Sequence, residues 1–205
     1  QPQPIVQFRL YEPVAKHPTD DVLYIVLSSL NFGASADWCV SVAQTNGWRG
    51  YIVVDLAVRC GSGEVTPDHT NACAPYVARG IRDTGAKRVI VCGSQASRAV
   101  TGNVMHPWNY GSWTHLAAPN RDDGTADDQR VLVVAAPDPA DAMRNQFVKS
   151  FWMSALERAT GQPIPGALPQ GVRGRIVTTA QDIKDFKEWL GKQPWLSYDG
   201  EWSGV

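Results

Sequence analysis

The sequence lacks any apolar run that approaches the roughly 20 residues of a membrane-spanning helix. Its first four residues, QPQP, lack the basic and then apolar pattern of a signal peptide, so we expect a cytoplasmic protein without a membrane partner. The chain also lacks a large net charge, because 19 Lys and Arg residues are balanced by 20 Asp and Glu residues. A nearly neutral chain has no general attraction for nucleic acid, so any contact with DNA must be local.

Cysteine is scarce and widely spaced. The four cysteines are Cys39, Cys60, Cys73 and Cys92, and none forms part of a C-x-x-C pair. Three of them fall in segments with strand or helix character. In a reducing compartment, a thiol in such a segment is more often a small buried apolar group than half of a disulfide. We therefore expect no disulfide framework.

What the sequence does contain is a regular alternation of short apolar runs with amphipathic segments. Four runs are nearly continuous and rich in β-branched residues, as in strands buried on both faces; they cover residues 21–30, 51–58, 88–92 and 131–136. Between them, Thr66, Pro67 and Asp68 carry the signals of a helix start. We predict an α/β domain with a mostly parallel four-stranded sheet and helices on both faces.

The composition changes along the chain and indicates four parts. Residues 1–20 are broken by four prolines and are predicted to form an extended arm, whereas residues 21–160 carry the α/β pattern. Residues 161–175 form a linker rich in proline and glycine, and residues 176–205 add a helix and a strand as a C-terminal appendage. We therefore expect one main domain, an N-terminal arm and a short second unit.

Polar residues stand where the predicted strands end. Gly93, Ser94 and Gln95 form a tight turn into a helix after the third strand, and Asp138 follows the fourth strand. Ligands of open α/β sheets gather at the carboxyl ends of the strands, so a binding site is predicted at this edge. The N–H groups of the helix that begins near Ser94 could meet an anion there.

Residues 105–113 (MHPWNYGSW) place three aromatic side chains, including Trp108, in one loop-like segment. Such residues contribute about 1–3 kcal/mol per stacked base in single-strand binders. They also cap the edges of apolar cores, which is their more frequent role. Both interpretations, a base-stacking surface and a core edge, stay open for this segment.

Four further segments resemble the motifs of a known family. They are residues 55–60 (DLAVRC), 73–76 (CAPY), 89–96 (VIVCGSQA) and 138–145 (DPADAMRN), the last followed by Phe151 and Trp152. Over residues 21–160 the chain resembles the uracil-DNA glycosylase superfamily, and it is most similar to the iron–sulfur-containing bacterial and archaeal type. The resemblance implies an α/β fold that binds DNA. It also implies that a base or the DNA contacts Gly93, Ser94, Gln95, Arg144 and Asn145.

The differences from the family fall on the residues that perform its chemistry. Asp138 stands where the resemblance puts the histidine that stabilises the departing uracil, and an ionised carboxylate there repels the developing negative charge. Asp55 stands near the asparagine that reads uracil, but a carboxylate accepts hydrogen bonds where uracil also accepts them. In the loop that the resemblance identifies as water-activating, Asn31 could hold a water and Phe32 could stack on a base.

The resemblance also bears on cofactors. Cys60 and Cys73 match two of the family's four iron–sulfur ligands, but the N-terminal arm offers no cysteine pair for the others. Because such clusters ordinarily use four thiolates, we expect no cluster, and the two cysteines are interpreted as remnants of a cluster site. We expect no other cofactor in residues 21–160.

The C-terminal appendage has a resemblance of its own. Residues 178–205, which end in LSYDGEWSGV, are similar to the start of the proofreading 3′–5′ exonuclease domain of family A DNA polymerases. Asp199 and Glu201, two residues apart on a predicted strand, would point to the same side and could hold a divalent metal only in a complete exonuclease domain. The resemblance implies that the chain is the N-terminal domain of a phage-type DNA polymerase that works in the bacterial host cytoplasm.

Three functions are compatible with these observations. The first is a glycosylase-like DNA-binding domain that acts in replication or repair without the usual uracil excision, with single-stranded or template DNA and the rest of a polymerase chain as partners. The second is an active glycosylase that removes uracil, hypoxanthine or xanthine by means of Asp55, Asp138 or Asn31. The third is a nucleotide binder at the Gly93-Ser94 turn, although the full phosphate-binding glycine motif is missing. The sign of the charge at Asp55 and Asp138 favours the first.

Overall fold

The computed structural model describes residues 8–16, 18–28, 32–59, 65–103, 110–117 and 130–168, together with the single positions 184, 187, 188, 191 and 192. The chain divides into two units, Gln1–Gln170 and Gly171–Val205. The sheet and the helices that surround it belong to the first unit.

Six strands and five helices make up the described part of the first unit. The strands are β1 (Arg9–Tyr11), β2 (Val22–Leu27), β3 (Tyr51–Leu56), β4 (Arg88–Cys92), β5 (Trp113–Ala117) and β6 (Arg130–Ala136). The helices are α1 (Phe32–Thr45), α2 (Pro67–Asp83), α3 (Ser94–Thr101), α4 (Pro139–Arg144) and α5 (Gln146–Thr160).

The strands form one mixed sheet in the order β1-β3-β2-β4-β6-β5. The central strands β3, β2, β4 and β6 pair in parallel, and they correspond to the four predicted strands. Strands β1 and β5 pair antiparallel at the two edges, with β3 and β6 respectively. The predicted α/β class is confirmed, but the predicted four-stranded sheet is wrong in size because it omits both edge strands.

The sequence does not predict the edge strands β1 and β5, because neither contains the apolar run of a buried strand. β1 has three residues, two of them exposed, and it lies within the arm predicted for residues 1–20. β5 reads WTHLA, with exposed side chains at Trp113, Thr114 and His115. An edge strand pairs on one side only and is open to solvent, so its sequence need not be hydrophobic.

The sheet separates two apolar clusters, one on each face. Helices α1 and α5 cover the first cluster, whose largest buried members are Leu23, Ile25, Leu27, Ile52, Leu56, Ile90, Trp152 and Leu156. Helices α2 and α3 cover the second cluster, which includes Tyr24, Val26, Val53, Val77, Val89, Ala96 and Val133. Successive strand residues alternate between the two clusters, because the side-chain period of a strand is two. Helices therefore lie on both faces of the sheet.

The start of α2 is capped as its sequence predicts. Thr66 Oγ1 accepts a hydrogen bond from the backbone N–H of His69 at 3.4 Å, and His69 Nδ1 accepts from the N–H of Thr66 at 3.2 Å. Pro67 occupies the first helical position, where an N–H group would have no partner. The reciprocal bonds satisfy two of the donors that a helix start leaves unpaired.

Helix α2 approaches the sheet closely at Gly80. A Cβ atom added there would overlap the hydroxyl oxygen of Tyr24 and lie 3.2 Å from its Cζ atom. Tyr24 is fully buried, and its hydroxyl donates to Asp55, so the ring cannot move aside without losing that hydrogen bond. Glycine at this position lets α2 pack against the centre of the sheet.

Gly80→Ala should destabilise the protein, because the added methyl group has no room beside Tyr24. Overpacking of this kind costs about 1–3 kcal/mol, and the better helix propensity of alanine offsets only about 0.5–1 kcal/mol of that loss. Urea unfolding followed by circular dichroism measures the free energy of unfolding of both proteins.

Gly33→Ala is the matched control, since a Cβ atom at Gly33 meets no heavy atom within 4 Å and should not lower stability. In a Tyr24→Phe background the loss from Gly80→Ala should shrink, because the overlapping oxygen is gone. An equal loss in both backgrounds would rule out this contact as its cause.

Candidate functional site

The candidate site lies where the connections between the parallel strands diverge. From β2 the chain crosses through α1 to β3 on one side, and from β3 it crosses through α2 to β4 on the other side of β2. Helices α1 and α2 consequently cover opposite faces of the sheet. Open α/β sheets bind their ligands in the crevice outside the carboxyl ends of the strands at such a switch point.

The residues that follow strands β2, β4 and β6 lie close together at the switch point. Ser28 follows β2, Gly93 follows β4, and Asp138 lies two positions beyond the end of β6. A Cβ atom added at Gly93 would lie 3.0 Å from Ser28 Oγ and 3.9 Å from Asp138 Cβ, so the three residues are immediate neighbours. Gly93 has a φ of +83°, a left-handed conformation that residues with side chains rarely adopt. We call Ser28, Gly93 and Asp138 the switch-point site.

Helix α3 begins at this site. Gly93, its N-cap residue, has no side chain that could accept from the first turn, and Ser28 Oγ instead accepts from the N–H of Ala96 at 2.8 Å. Ser28 is held by its own N–H group, which donates to Cys92 O at 3.1 Å. The positive end of the α3 dipole therefore lies at the site, where it favours a negatively charged ligand.

Gln95 joins the starts of two helices. Its Oε1 atom accepts a hydrogen bond from Thr70 Oγ1 of α2 at 3.0 Å. Thr70 is fully buried, so this bond fixes the beginning of α3 against α2. The turn predicted over Gly93, Ser94 and Gln95 thus lies at the switch point, with the side-chain oxygen of Gln95 engaged inside the protein.

Asp138 both caps a helix and lines the site. Its Oδ1 atom accepts from the N–H of Ala140 at 2.9 Å, which starts the short helix α4. Burial raises the pKa of the Asp138 carboxyl above its ordinary value, and the negative charge of Asp141 also raises it. The hydrogen bond from Ala140 and the charge of Arg144 act in the opposite direction. The net result is a carboxyl group that keeps its proton to a higher pH than an exposed aspartate does.

A pair of buried thiols and a tyrosine lie near Asp138. Cys39 of α1 and Cys92 of β4 are fully buried; burial raises the pKa of the Cys39 thiol, and the neighbouring Cys92 thiol adds to this effect. Burial also raises the pKa of Tyr110, and the charges of Asp141 and Asp138 add to this effect. The Cys39 thiol is therefore uncharged at neutral pH, and Tyr110 keeps a hydroxyl group that can donate.

Asp55 belongs to the interior of the sheet and is not part of the switch-point site. The residue is 0% exposed and accepts from Tyr24 Oη at 2.7 Å and from the N–H of Leu56 at 2.8 Å. Arg59 adds two hydrogen bonds, from Nη2 at 2.7 Å and from Nε at 3.1 Å. Burial and the nearby carboxylate raise the pKa of Tyr24, so its hydroxyl stays a donor.

The role predicted for Asp55 is therefore revised. Its two oxygens have four donors within the protein, which is the number that a carboxylate can accept, so none is left for a nucleobase. The carboxylate whose charge raises the pKa of Asp138 is that of Asp141. We interpret Asp55 as half of a buried ion pair with Arg59.

Other predicted residues have structural roles or lie on the surface. Phe32 is 5% exposed in the first apolar cluster, with the guanidinium of Arg9 5.5 Å from its ring centre, so it belongs to the core rather than to a base-stacking surface. Arg144 is exposed and pairs with Asp141 at 2.9 Å. Asn145 caps α5, because its Oδ1 atom accepts from two N–H groups of the first turn at 2.9 and 3.4 Å.

Several predicted residues lie outside the described part of the chain: Asn31, Cys60, Trp108, Asp199 and Glu201. Cys73, the other proposed cluster remnant, is a buried free thiol in α2. Within the described residues, no group of three or more His, Cys, Asp and Glu side chains is arranged to hold a metal ion. The same part of the chain has no helix that is long and apolar enough to cross a membrane.

No protein-family model and no curated protein matches this chain. The relation to glycosylases and polymerases therefore rests on the motifs alone and stays a prediction.

Two residues of structural importance were not among the predicted ones. Arg59 lies four residues after Asp55, and an acid inside an apolar strand is a signal that a buried partner is needed. Ser28 carries no comparable signal, because the partner of its hydroxyl, Ala96, is 68 positions away in the chain. Pairing over such a distance depends on the order of the strands in the sheet.

Arg59→Met should destabilise the protein strongly, because it leaves the buried carboxylate of Asp55 without its cation. Breaking a buried ion pair in this way costs about 3–5 kcal/mol. The guanidinium of Arg59 is partly exposed, which places the expected loss at the lower end of that range. The free energy of unfolding, obtained from urea denaturation, measures the effect.

Arg144→Met makes the same change in an exposed ion pair and should cost less than about 1 kcal/mol. Adding Asp55→Asn to Arg59→Met removes the unpaired charge and should restore part of the lost stability. Equal losses from Arg59→Met and Arg144→Met would contradict the assignment of a buried ion pair.

The raised pKa of Asp138 makes the stability of the fold depend on pH. The folded protein binds this proton more tightly than the unfolded chain does, so the contribution of Asp138 to stability falls as pH rises through the interval between the two pKa values. Asp138→Asn keeps a capping side chain but does not titrate. The stability of Asp138→Asn relative to the wild type should therefore increase with pH across that interval and level off above it.

Carboxyl chemical shifts measured by NMR over a pH series give the same pKa directly, and Asp138→Asn identifies the signal. The midpoint is expected above the value of about 3.9 for an unperturbed aspartate. A midpoint at or below that value, or a stability difference that stays constant with pH, would show that burial does not act on this carboxyl.

Proposed function

We propose that residues 21–160 form a glycosylase-like DNA-binding domain that acts in DNA replication or repair without the usual excision of uracil. The observation that carries the proposal is the convergence of Ser28, Gly93 and Asp138 at the switch point, beside the start of α3. Two of the three strand ends that meet there, at Gly93 and Asp138, are those to which the resemblance assigns contacts with a base or with DNA. A binding site at the carboxyl ends of parallel strands also agrees with the general behaviour of α/β sheets.

A strand of DNA would meet favourable groups at this site. The positive end of the α3 dipole and the guanidinium of Arg144 both attract phosphate. Arg144 is exposed, and its pairing with Asp141 is a surface ion pair that a phosphate group can displace with little loss. Because the whole chain has a net charge of only −1, such local groups decide whether DNA binds.

Uracil excision needs groups that stabilise negative charge on the departing base. An ionised Asp138 has the wrong sign of charge for that role. Asp55 cannot bind the base either, because Tyr24 and Arg59 engage its oxygens. The two positions at which the resemblance expects the chemistry are thus held by carboxylates, and one of them is committed to the core. DNA binding without excision fits these side chains best.

One observation favours the second function, an active glycosylase. Burial raises the pKa of Asp138, and a protonated carboxyl could donate a hydrogen bond to the departing base. Such an enzyme would work best at acidic pH, where Asp138 is protonated. Its activity would fall as pH rises through the pKa of Asp138.

Attachment to a phage-type DNA polymerase is the second part of the proposal. It rests on the similarity of residues 178–205 to the start of a 3′–5′ exonuclease domain, with Asp199 and Glu201 as the pair of acids. In that setting, single-stranded or template DNA is the expected partner. A polymerase domain encoded downstream of Val205 in the same reading frame would support this part, and a stop codon at that point would contradict it.

Single-stranded DNA should bind the chain at low salt, and Arg144→Glu should weaken the binding. Fluorescence anisotropy with a labelled oligonucleotide measures the affinity over a series of salt concentrations. For a single strand, the loss of one phosphate contact lowers the slope of log K against log salt by about 0.7.

Arg79→Glu is the matched control, because it makes the same change of charge at an exposed position of α2 and should leave the slope unchanged. Equal losses from both variants would show that net charge alone matters. If single-stranded, uracil-containing and duplex DNA all fail to bind at about 50 mM salt, the proposed function is wrong.

An excision assay decides between DNA binding without excision and an active glycosylase. The wild type and Asp138→Asn are incubated with oligonucleotides that contain uracil, hypoxanthine or xanthine, and abasic sites are then cleaved with alkali. We expect no cleavage above background at neutral or acidic pH. Cleavage that increases toward acidic pH and is lost in Asp138→Asn would instead establish an active glycosylase.

A further inference from the structure

A second surface lies beside the switch-point site, on one flank of α5 and one face of the edge strand β5. We call it the aromatic surface, and it consists of Tyr110, Trp113, Phe147, Phe151 and Arg158. Large apolar side chains are open to solvent here, since Phe147 is 66% exposed and Trp113 is 51% exposed. Neither ring is needed to fill the two apolar clusters of the fold.

Helix α5 contributes a stripe of three residues to this surface. Phe151 and Arg158 lie four and eleven positions after Phe147, a spacing that puts all three on one flank of the helix. The rings of Phe147 and Phe151 meet edge to face, with 5.0 Å between their centres. The core side of α5 is formed by other residues, among them Trp152 and Leu156, so the stripe is separate from the core.

Strand β5 contributes the neighbouring part. Trp113 and His115 are two positions apart and therefore point to the same face of the sheet, with 5.4 Å between their ring centres. The guanidinium of Arg158 lies 5.9 Å from the ring centre of Trp113, which joins the strand to the helix stripe. Trp113 thus offers a half-exposed ring with a cation next to it.

Tyr110 links the aromatic surface to the switch-point site. Its ring meets that of Phe151 edge to face, with 6.3 Å between the centres. The charges of Asp138 and Asp141 reach the same tyrosine and contribute to its raised pKa. The aromatic surface therefore continues from the neighbourhood of Asp138 to Arg158.

The chemistry of the aromatic surface matches a single strand of nucleic acid. Exposed rings offer faces on which nucleobases stack, and stacking needs no particular base. Arg158 and His115 supply donors for phosphate oxygens, and Arg130, exposed at the start of β6 opposite the end of β5, adds another cation. Asp141 lies at the other end, where it is paired with Arg144.

A protein partner fits the same surface less well. Apolar docking sites for proteins keep charge away from their centre. Here the guanidinium of Arg158 lies over Trp113, one of the two most exposed rings of the surface.

The flank of α5 that carries its rings also carries Ser150 and Ser154, whose hydroxyls donate to backbone carbonyls of α5. Ser154 Oγ also accepts from the N–H of Leu168 at 2.7 Å, so the segment after α5 lies against the flank at that point. Around Phe147 and Phe151 the flank is aromatic and polar rather than aliphatic.

We propose that the aromatic surface binds a single strand of nucleic acid by base stacking, with the phosphates toward Arg158 and Arg130. This inference goes beyond the function of the switch-point site, because it needs neither a flipped base nor a relation to glycosylases. It also gives a role to Trp113, which belongs to the segment that the sequence assigns either to base stacking or to a core edge. Tyr110, from the same segment, packs against the second apolar cluster and so lies at a core edge as well.

The test uses the full chain and a fluorescent oligomer of about 12 deoxythymidines, which forms no duplex. Anisotropy at about 50 mM salt gives the affinities of the wild type, Trp113→Ala and Phe147→Ala. Each variant should bind about tenfold more weakly, the loss expected for one stacked base. Both side chains are at least half exposed, so the variants should fold, and thermal unfolding checks this.

Tyr76→Ala is the matched control, since Tyr76 is 52% exposed and lies on α2, on the opposite face of the sheet, and its loss should leave the affinity unchanged. An abasic oligomer of equal length separates stacking from charge, because it should bind the wild type and the variants equally. A uridine oligomer distinguishes RNA from DNA as the preferred strand. A loss of affinity in the variants with either strand supports the proposal.

Three results would overturn the proposal. The first is that both alanine variants bind the deoxythymidine oligomer as tightly as the wild type does. The second is that the variants lose as much affinity for the abasic oligomer as for the deoxythymidine oligomer. The third is that the protein forms a dimer in solution which the alanine substitutions dissociate. The dimer would make this face an interface between two copies of the chain. Arg144→Glu tests the switch-point site and leaves the aromatic surface intact, so the failure of one proposal can be told from the failure of the other.

Discussion

The central position of β2 is the constraint on which the rest of the structure depends. Its pairing is parallel on both sides, with β3 and with β4, and Leu23 to Leu27 are fully buried. Parallel strands need crossover connections, and two crossovers of the same hand that run in opposite directions put α1 and α2 on opposite faces. The carboxyl ends of the parallel strands then lie along one edge. Ser28, Gly93 and Asp138 meet there although they are far apart in the chain.

Two aspartates show how position in this sheet decides the role of a side chain. Asp55 lies within β3, where an unpaired charge is costly, and Tyr24 and Arg59 provide its partners. Asp138 lies beyond the end of β6, where its carboxyl caps α4 and where burial outweighs the nearby Arg144 and raises its pKa. Both acids fall in the motifs that resemble those of the glycosylases. Asp138 therefore stays a candidate for a role in binding or chemistry, whereas Asp55 stabilises the fold as half of a buried ion pair.

The switch-point site and the aromatic surface are neighbours, and Tyr110 lies between them. A strand stacked on Phe147 and Trp113 would lead toward the start of α3, where the helix dipole favours a phosphate. The two surfaces use different forces, because stacking on rings does not depend on salt concentration in the way that phosphate contacts do. A nearly neutral chain can hold a strand in this manner without a strongly basic surface.

The sequence by itself determined the elements whose signals are local. Continuous apolar runs identified β2, β3, β4 and β6, Thr66 and Pro67 marked the start of α2, and Asp138 was correctly assigned to a strand end, because burial on both faces and helix capping leave a pattern within a few residues. Only the tertiary structure decided the edges β1 and β5, the burial of Phe32, and the partners of Asp55 and Ser28. Tyr24 and Asp55 are 31 positions apart, and no local pattern connects them. Such contacts follow from the order of the strands, which the crossover connections set for the chain as a whole.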